Sequence, residues 1–544
     1  MTKRFLVALL SATVLAGSWV LPGTALAQDA SDCIKIDGSD RCLPIAPDSD
    51  RVDLVEPSFS DPTTITNPLF PISNLHSVLL LGYVDRAPLR IEVTLLPETK
   101  TIDWNGQQTE TLVSQFVAFR DGQILEVALD WYAQADDGAV WYFGEDVFNY
   151  EDGVVADTEG TWLAGKDGPP AMIMPAAPAV GDVYRPENMP GFVFEEVTVT
   201  TVGETMHGPQ GPVAGAIVAQ ELHQDGTYED KIFAPGYGEF RSSSGVDLEA
   251  LALAVPTDAL SGPPAAEVET LTTGAAGIFT AVESEDWEAV AAAEREMSAA
   301  WAAYRADDVP DLLEYQMSEA LNTLAGAVDA RDPAEIRQVA MTVEQAGLDL
   351  QLRHREPSEI DLARFDLRAR QLLINAEADD PAAVTGDVAA LEWIWDRVAH
   401  TFDASTAKQI DALLGDLRTA ADAEDLAAAT DAATELRDLL TAGATGVSAF
   451  SAQPVAADED GNRGAEDETA VASGTLDDGE ELLPQAEITL AQPVEVAQTA
   501  ASGPVGEVDL EYDDGRLVFN VDIGDRDVKV DAADGRVLAA VADD

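Results

Sequence analysis

Five side chains between residues 130 and 146 could together bind a cation or a sugar. The stretch reads DWYAQADDGAVWYFGED, and the candidate binding residues in it are Asp130, Tyr132, Trp141, Phe143 and Glu145. Carboxylates supply the oxygen ligands that calcium prefers, and a carboxylate pair beside aromatic rings suits a sugar. The rings have a second interpretation, because cross-strand aromatic pairs stabilise a hairpin by about 0.2–1 kcal/mol each.

The Asp-Gly pair at 137–138 predicts how these residues face one another. A two-residue hairpin turn there gives three facing pairs: Gln134 with Trp141, Tyr132 with Phe143, and Asp130 with Glu145. The last pair sets two like charges across a ladder, where they repel unless solvent, a cation or a shared proton relieves them. Two interpretations stay open: a cation or glycan site, or an ordinary hairpin in which the strand ends splay or a bulge turns one acid to water.

A second candidate site is a metal site on a predicted helix. Glu392, Asp396 and His400 are four residues apart and share one helix face. Residues of these types can hold a divalent metal. They also lie beside the apolar stripe of that helix, where an ordinary solvated face is expected.

The sequence offers no recognisable catalytic arrangement. It contains no GxSxG, HExxH or P-loop motif, and its two cysteines lack zinc-site spacing. We therefore expect binding rather than catalysis, and no cofactor other than calcium or another divalent cation at the candidate sites. A hydrolase with an unrecognised site is the third alternative for function.

The charge of the chain excludes several partners. The 544 residues carry a formal net charge of −69, and the acids are spread through every segment. Such a chain repels nucleic acid and anionic lipid. The acids either keep the protein soluble or buffer divalent cations, and the length indicates several domains.

The N-terminus indicates export. Residues 1–27 combine two basic residues, an apolar run and a small-x-small cleavage site, which is typical of a signal peptide. We expect no transmembrane segment after cleavage and a periplasmic or extracellular location. Residues 28–51 hold Cys33 and Cys42, which an oxidising compartment favours as a disulfide.

Two large domains are predicted from composition. Residues 52–255 are rich in β-branched and aromatic residues, and Asp-Gly pairs recur at positions 121, 137, 152 and 167. This spacing predicts an antiparallel β-meander or an open barrel. Residues 265–442 instead predict four α-helical hairpins, forming a bundle or a short solenoid. Their aligned helix N-caps are Asp286, Asp332, Asp380 and Asp425.

The C-terminal part divides in two. Residues 443–485 are acidic and poor in large apolar residues, which predicts a disordered linker. Residues 486–544 predict one helix and three strands. This segment resembles a PepSY domain through Val494, Ala497, Gly506 to Leu510, Asp514-Gly515, Phe519, Val521, Val530-Asp531, Gly535 and Val537. The resemblance implies a non-catalytic binding or inhibitory module.

Residues 130–162 resemble an uncharacterised bacterial secreted β-domain through DWYAQ, WYFGED, YEDG and GTW. This resemblance implies a fold and no activity. Taken together, the sequence predicts a multidomain α+β protein that binds a protein or peptide partner in the cell envelope and regulates it. The alternative is an envelope protein that binds a divalent cation or a glycan at residues 130–146.

Overall fold

The structure is a computed structural model, and it separates into two units, residues 1–450 and 451–544. The residues it describes are 33–36, 38–306, 309–447, 496–497, 505–513, 516–523, 526–532 and 536–542. The expected signal peptide and nearly all of the expected linker lie outside the described residues. No helix in the described part is long and apolar enough to cross a membrane.

The first unit begins with a large antiparallel sheet, as the sequence predicts. Its strands are β1 (Ser77–Val84), β2 (Ala87–Trp104), β3 (Gln107–Arg120), β4 (Gln123–Gln134), β5 (Val140–Glu151), β6 (Val154–Asp157), β7 (Trp162–Leu163), β8 (Ala171–Met174), β9 (Val183–Met189), β10 (Val193–Gly208), β11 (Gly211–His223), β12 (Tyr228–Ala234), β13 (Gly238–Ser244) and β14 (Asp247–Val255).

Two meanders make up this sheet. Its order is β6-β5-β4-β3-β2-β1-β14-β13-β12-β11-β10-β9, and β7 and β8 both pair with β5. Strand β1 pairs with β14 and thereby joins the first meander to the second. The sheet is open, and β8 contacts both β5 and β9. The two meanders therefore approach each other at their far ends as well as at the β1–β14 pair.

Asp-Gly turns form where the strands fit a two-residue connection. At 121–122 and 152–153 both residues have positive φ, between 51° and 79°, as a two-residue turn of this kind requires. At 137–138 only the glycine does, with a φ of 93°, and residues 135–139 form a longer loop. The loop moves the register of the hairpin by one residue.

Two of the three predicted cross-strand pairs are therefore wrong. Tyr132 faces Tyr142, and Gln134 faces Val140. The third pair, Asp130 with Glu145, is confirmed, because a register shift between Asp130 and Tyr132 restores the expected alignment. The extra residue of this bulge is accommodated at Gly144, which has a φ of 116°.

Within the described residues of the first unit, eight helices follow the sheet: α1 (Ala266–Glu283), α2 (Trp287–Tyr304), α3 (Asp311–Ala330), α4 (Pro333–Gln351), α5 (Pro357–Glu377), α6 (Pro381–Val398), α7 (Ala404–Asp422) and α8 (Leu426–Val447). They form the four predicted hairpins. The four predicted N-cap aspartates each accept a hydrogen bond from a backbone N–H in the next turn. Helix α8 continues to Val447, so residues 443–447 are helical.

The helices form two four-helix bundles rather than a solenoid. Helix α1 packs against α2 and α4, and α3 packs against the same two helices. Helices α5 to α8 repeat this arrangement, and α4 contacts α5. Trp301 in the first bundle and Trp395 in the second each donate an indole hydrogen bond to the helix that follows, to Ser318 and Asp411. The sequence repeat is thus a duplicated bundle.

A buried ionic network joins the sheet to the bundles. Its charged members are Arg90, Glu92, Asp349, Asp361, Arg364 and Arg397. Arg90 on β2 makes two hydrogen bonds of 2.7 and 2.8 Å with Asp349 on α4. Apolar residues of β1 and β14 share a core with helices α1 to α5. The sheet and both bundles consequently form one compact unit.

The predicted disulfide between Cys33 and Cys42 is confirmed, with a Cα–Cα distance of 5.2 Å. The second unit contains a four-stranded antiparallel sheet, where the sequence predicted three strands. Its strands are β15 (Val505–Asp513), β16 (Arg516–Ile523), β17 (Arg526–Asp531) and β18 (Val537–Ala542). Of the expected helix, only residues 496–497 are described, and they are helical. Assignment to the PepSY family stays a prediction.

Candidate functional site

One face of the large sheet carries ten buried or half-buried ionisable groups. We call it the polar face, and its members are Asp130, Glu145, Glu187, Glu195, Glu221, His223, Glu229, Lys231, Glu239 and Glu249. Ladder pairing continues the row from strand to strand: Glu187 faces Glu195, Glu195 faces His223, and Glu221 faces Glu229. The face thus combines eight carboxyl groups with only two basic groups.

A cavity of about 220 Å³ opens against the polar face. Its apolar lining includes Phe70, Ile72, Leu75, Val78, Leu80 and Phe116, and its polar lining includes Asp130, Tyr132, Glu229, Lys231, Glu239 and Glu249. An apolar cavity of about 150 Å³ accepts benzene. This cavity therefore has room for a small organic molecule.

Asp130 is held in the cavity wall by an aromatic pair. The Tyr142 hydroxyl donates a 2.6 Å hydrogen bond to Asp130 Oδ1, and the Tyr142 ring stacks on that of Tyr132 at 4.9 Å. Burial raises the pKa of Asp130 to about 7, although the Tyr142 hydrogen bond opposes that rise. Near neutral pH the charged and neutral forms of this carboxyl are therefore both populated.

Glu145 and Glu187 form a carboxyl pair beside Asp130. Burial and the nearby Glu187 and Asp130 charges raise the pKa of Glu145 well above its ordinary value. Burial and the charge of Glu195 raise the pKa of Glu187 to about 8. The indole of Trp162 donates a 3.1 Å hydrogen bond to Glu187. Two like carboxyls in this setting retain protons that exposed acids release.

His223 lies among three carboxylates at the other end of the face. Its Nδ1 is 3.4 Å from Glu195 Oε1, and its Nε2 is 3.6 Å from oxygens of Glu221 and Glu229. Burial acts to lower the pKa of His223, but contacts with Glu195 and Glu229 raise it to about 11. Burial and the charge of Glu195 raise the pKa of Glu221 to about 8.

Lys231 is the other basic group of the face. Burial acts to lower its pKa, but the carboxylates of Glu221 and Glu239 raise it well above the ordinary value. Burial raises the pKa of Glu239, and burial with the charge of Glu239 raises that of Glu249. Within the cavity, one lysine thus meets more carboxylates than it can neutralise.

The structure divides the residues predicted at 130–146 between the cavity and the core. Asp130 and Tyr132 line the cavity, and Glu145 neighbours Asp130 on the polar face. Trp141 and Phe143 are buried in an apolar cluster, where Phe143 packs edge-on against Phe59. The packing interpretation therefore accounts for Trp141 and Phe143, whereas the acids belong to a larger site.

The predicted helical metal residues do not converge. Glu392 forms an ion pair with Arg418, and His400 lies in a short 3-10 turn after α6 ends. Asp396 is exposed on α6. Among the described residues, potential metal-ligating atoms of three such side chains come within 4.8 Å of one another at Glu195, Glu221 and His223 instead.

Most residues of the polar face were not predicted from the sequence, although their spacing along the strands provides a signal. Glu221 and His223 on β11, and Glu229 and Lys231 on β12, are spaced two apart. Alternate residues of a strand point to one face, so this spacing marks a polar stripe. No family model and no curated protein matches this chain.

Proposed function

We propose that the large sheet is a non-catalytic binding module for a small organic cation with an apolar body. The observation that carries the proposal is the lining of the 220 Å³ cavity, where four carboxylates and one lysine adjoin apolar side chains. An ammonium group would compensate the acids, and the apolar lining would cover the rest of the ligand. This proposal develops the cation alternative drawn from the sequence.

Charge favours a cation over a neutral sugar. Burial raises the pKa values of Asp130, Glu239 and Glu249, because charged carboxylates there lack compensation. A bound cation supplies that compensation, whereas a sugar supplies only hydroxyl groups. Ligand pockets generally combine an apolar lining with a few placed polar groups, and this cavity has both.

The wider expectations from the sequence continue as proposals. We infer that the protein is exported to the periplasm or beyond, which the Cys33–Cys42 disulfide supports. Regulation of a protein or peptide partner through residues 486–544 stays a prediction, as does the alternative of a hydrolase. The cavity is the feature that favours small-ligand binding over these two functions.

Titration calorimetry tests the proposal with benzylamine as a cationic probe and benzyl alcohol as its neutral counterpart. We expect benzylamine to bind one site per chain and benzyl alcohol to bind at least about tenfold more weakly, a difference of about 1.4 kcal/mol. The double variant Asp130→Asn with Glu249→Gln should lose that preference. The matched control is Glu151→Gln, an exposed acid at the end of β5. Equal binding of both probes, or binding of neutral oligosaccharides alone, would refute the cation proposal.

A further inference from the structure

We propose that Glu195, Glu221 and His223 form a binding site for a divalent transition-metal ion such as zinc. Glu195 lies on β10 directly opposite His223 on β11, and Glu221 precedes His223 by two residues on the same face. Their ligand atoms all lie within 4.8 Å of one another. The site is at one end of the polar face, and these three residues do not line the proposed amine cavity.

The spacing of the donor atoms suits one metal ion. Donors about 2.0–2.2 Å from a four-coordinate zinc ion are separated by about 3.4 Å. One ligand atom from each of the three residues lies within 4.8 Å of the others. His223 presents a different ring nitrogen to each acid: Nδ1 lies 3.4 Å from Glu195 Oε1, and Nε2 lies 3.6 Å from Glu221 Oε1. Side-chain rotation would therefore be needed to bring one nitrogen and two carboxylate oxygens around a single ion.

Two buried atoms of the site lack hydrogen bonds. Glu221 Oε1 and His223 Nε2 make ion-pair contacts, with Lys231 and Glu229, but no hydrogen bond of good geometry in the described part of the chain, although the two side chains are only 2% and 7% exposed. Buried polar atoms are nearly always paired with protein, water or an ion. The two atoms lie 3.6 Å from each other, so one bound ion could be coordinated by both.

The surrounding charges balance a divalent ion. Glu229 Oε2 lies 3.6 Å from His223 Nε2, and Lys231 Nζ lies 3.2 Å from Glu221 Oε1. The Ser242 hydroxyl donates a hydrogen bond to the side chain of Glu229 on β12 and fixes the position of that carboxylate. A divalent ion would replace the proton on the imidazole, and its two charges together with that of the lysine match the three glutamate charges of this group.

The donor types select the class of metal. Imidazole nitrogen suits zinc, copper, nickel and iron, whereas calcium is bound by six to eight oxygens. One histidine with two carboxylates therefore favours a transition metal over calcium. Solvent or Glu229 could complete a four-coordinate shell around the ion.

Zinc titration of the full-length, disulfide-bonded protein tests this site. The buffer contains a large excess of calcium, which occupies the many exposed acids of this chain. We expect one zinc ion per chain and at least tenfold weaker binding for His223→Gln. The control His400→Gln removes an exposed histidine of the helical region and should bind zinc like the wild type.

Cobalt gives a second readout that reports the ligands themselves. Visible absorption bands of bound cobalt should appear in the wild type and disappear in His223→Gln and in Glu195→Gln. If His223→Gln fails to fold, Glu195→Gln decides the matter. The proposal would be overturned if these variants bind zinc as tightly as the wild type. It would also be overturned if the wild type loses zinc binding in excess calcium, or if His400→Gln loses zinc binding.

Discussion

Asp130 on β4 faces Glu145 on β5, and the Tyr142 hydroxyl fixes Asp130 with a 2.6 Å hydrogen bond. Strand pairing thus forces two buried acids into proximity at the edge of the cavity. Burial raises both pKa values, and that of Asp130 reaches about 7. Burial therefore opposes full ionisation of these two carboxyls, which a bound cation would permit.

Replacing Asp130 by asparagine should stabilise the protein in a pH-dependent way. Because the folded-state pKa is about 7 and the ordinary value is 3.8, the wild type loses stability as pH rises from about 4 to about 7. Asparagine keeps the shape and can still accept the Tyr142 hydrogen bond, but it never ionises. We expect equal free energies of unfolding at pH 4 and a gain of about 1–4 kcal/mol for Asp130→Asn at pH 8.

Urea unfolding at the two pH values, followed by tryptophan fluorescence, measures this difference. Asp61→Asn removes an exposed acid near the start of the β-domain and serves as the control. A gain for Asp130→Asn that is the same at pH 4 and pH 8 would mean that ionisation of Asp130 is not its cause.

Affinity for an amine should rise with pH. A cation favours the ionised carboxyls, so binding displaces protons that the empty cavity retains below about pH 7. We expect benzylamine affinity to increase by up to about tenfold per pH unit between pH 5 and 7 for each displaced proton. Calorimetry in buffers of different ionisation enthalpy counts those protons. A pH-independent affinity with no proton release would be inconsistent with this mechanism.

Removing one charge from the buried ionic network should weaken the contact between the sheet and the bundles and lower the free energy of unfolding. Arg397 on α6 contacts Glu92 on β2 at 2.7 Å, and the two side chains are almost wholly buried. Removing one partner leaves the other charge unpaired, so Arg397→Met should destabilise the first unit by about 3–5 kcal/mol. Chemical unfolding provides the measurement.

Two further variants identify the cause of the destabilisation by Arg397→Met. The double variant Arg397→Met with Glu92→Gln should recover part of it, because fewer charges remain unpaired. The exposed pair of Arg355 with Glu269 is the control, and Arg355→Ala should change stability by less than about 1 kcal/mol. A small effect of Arg397→Met would show that apolar contacts alone hold the sheet on the bundles.

The repeated helix N-caps should contribute similar amounts to the free energy of unfolding in the two bundles. Asp332 at the start of α4 and Asp380 at the start of α6 each accept backbone hydrogen bonds. Replacement of either by alanine should lower the free energy of unfolding by about 0.5–2 kcal/mol. Asp329→Ala, at an exposed position near the end of α3, should change it by less than about 0.5 kcal/mol. Thermal unfolding of the three variants makes the comparison.

Local signals predicted the helical part well. An aspartate N-cap and a proline in the first turn act within a few residues, so Asp332 and Pro333 mark the start of α4 in sequence and structure alike. The repeat spacing likewise identified four hairpins. It did not show that α1 contacts α4, because packing between hairpins depends on contacts distant in sequence.

The polar face was harder to predict because it is assembled from distant strands. Glu145 and Glu187 are separated by three short strands and several loops, and no local pattern joins them. Even within one hairpin, the five-residue loop at 135–139 and the bulge at Gly144 changed the register. Sequence spacing thus identified the Asp130–Glu145 pair but not the cavity that Asp130 lines.

A crystal structure of the protein soaked with benzylamine tests the cation-binding role most directly. We expect the ammonium group in the 220 Å³ cavity, within hydrogen-bonding distance of Asp130, Glu239 or Glu249, and the ring against Phe70 and Leu75. Amine bound only at the outer surface, with the cavity holding water, would contradict it.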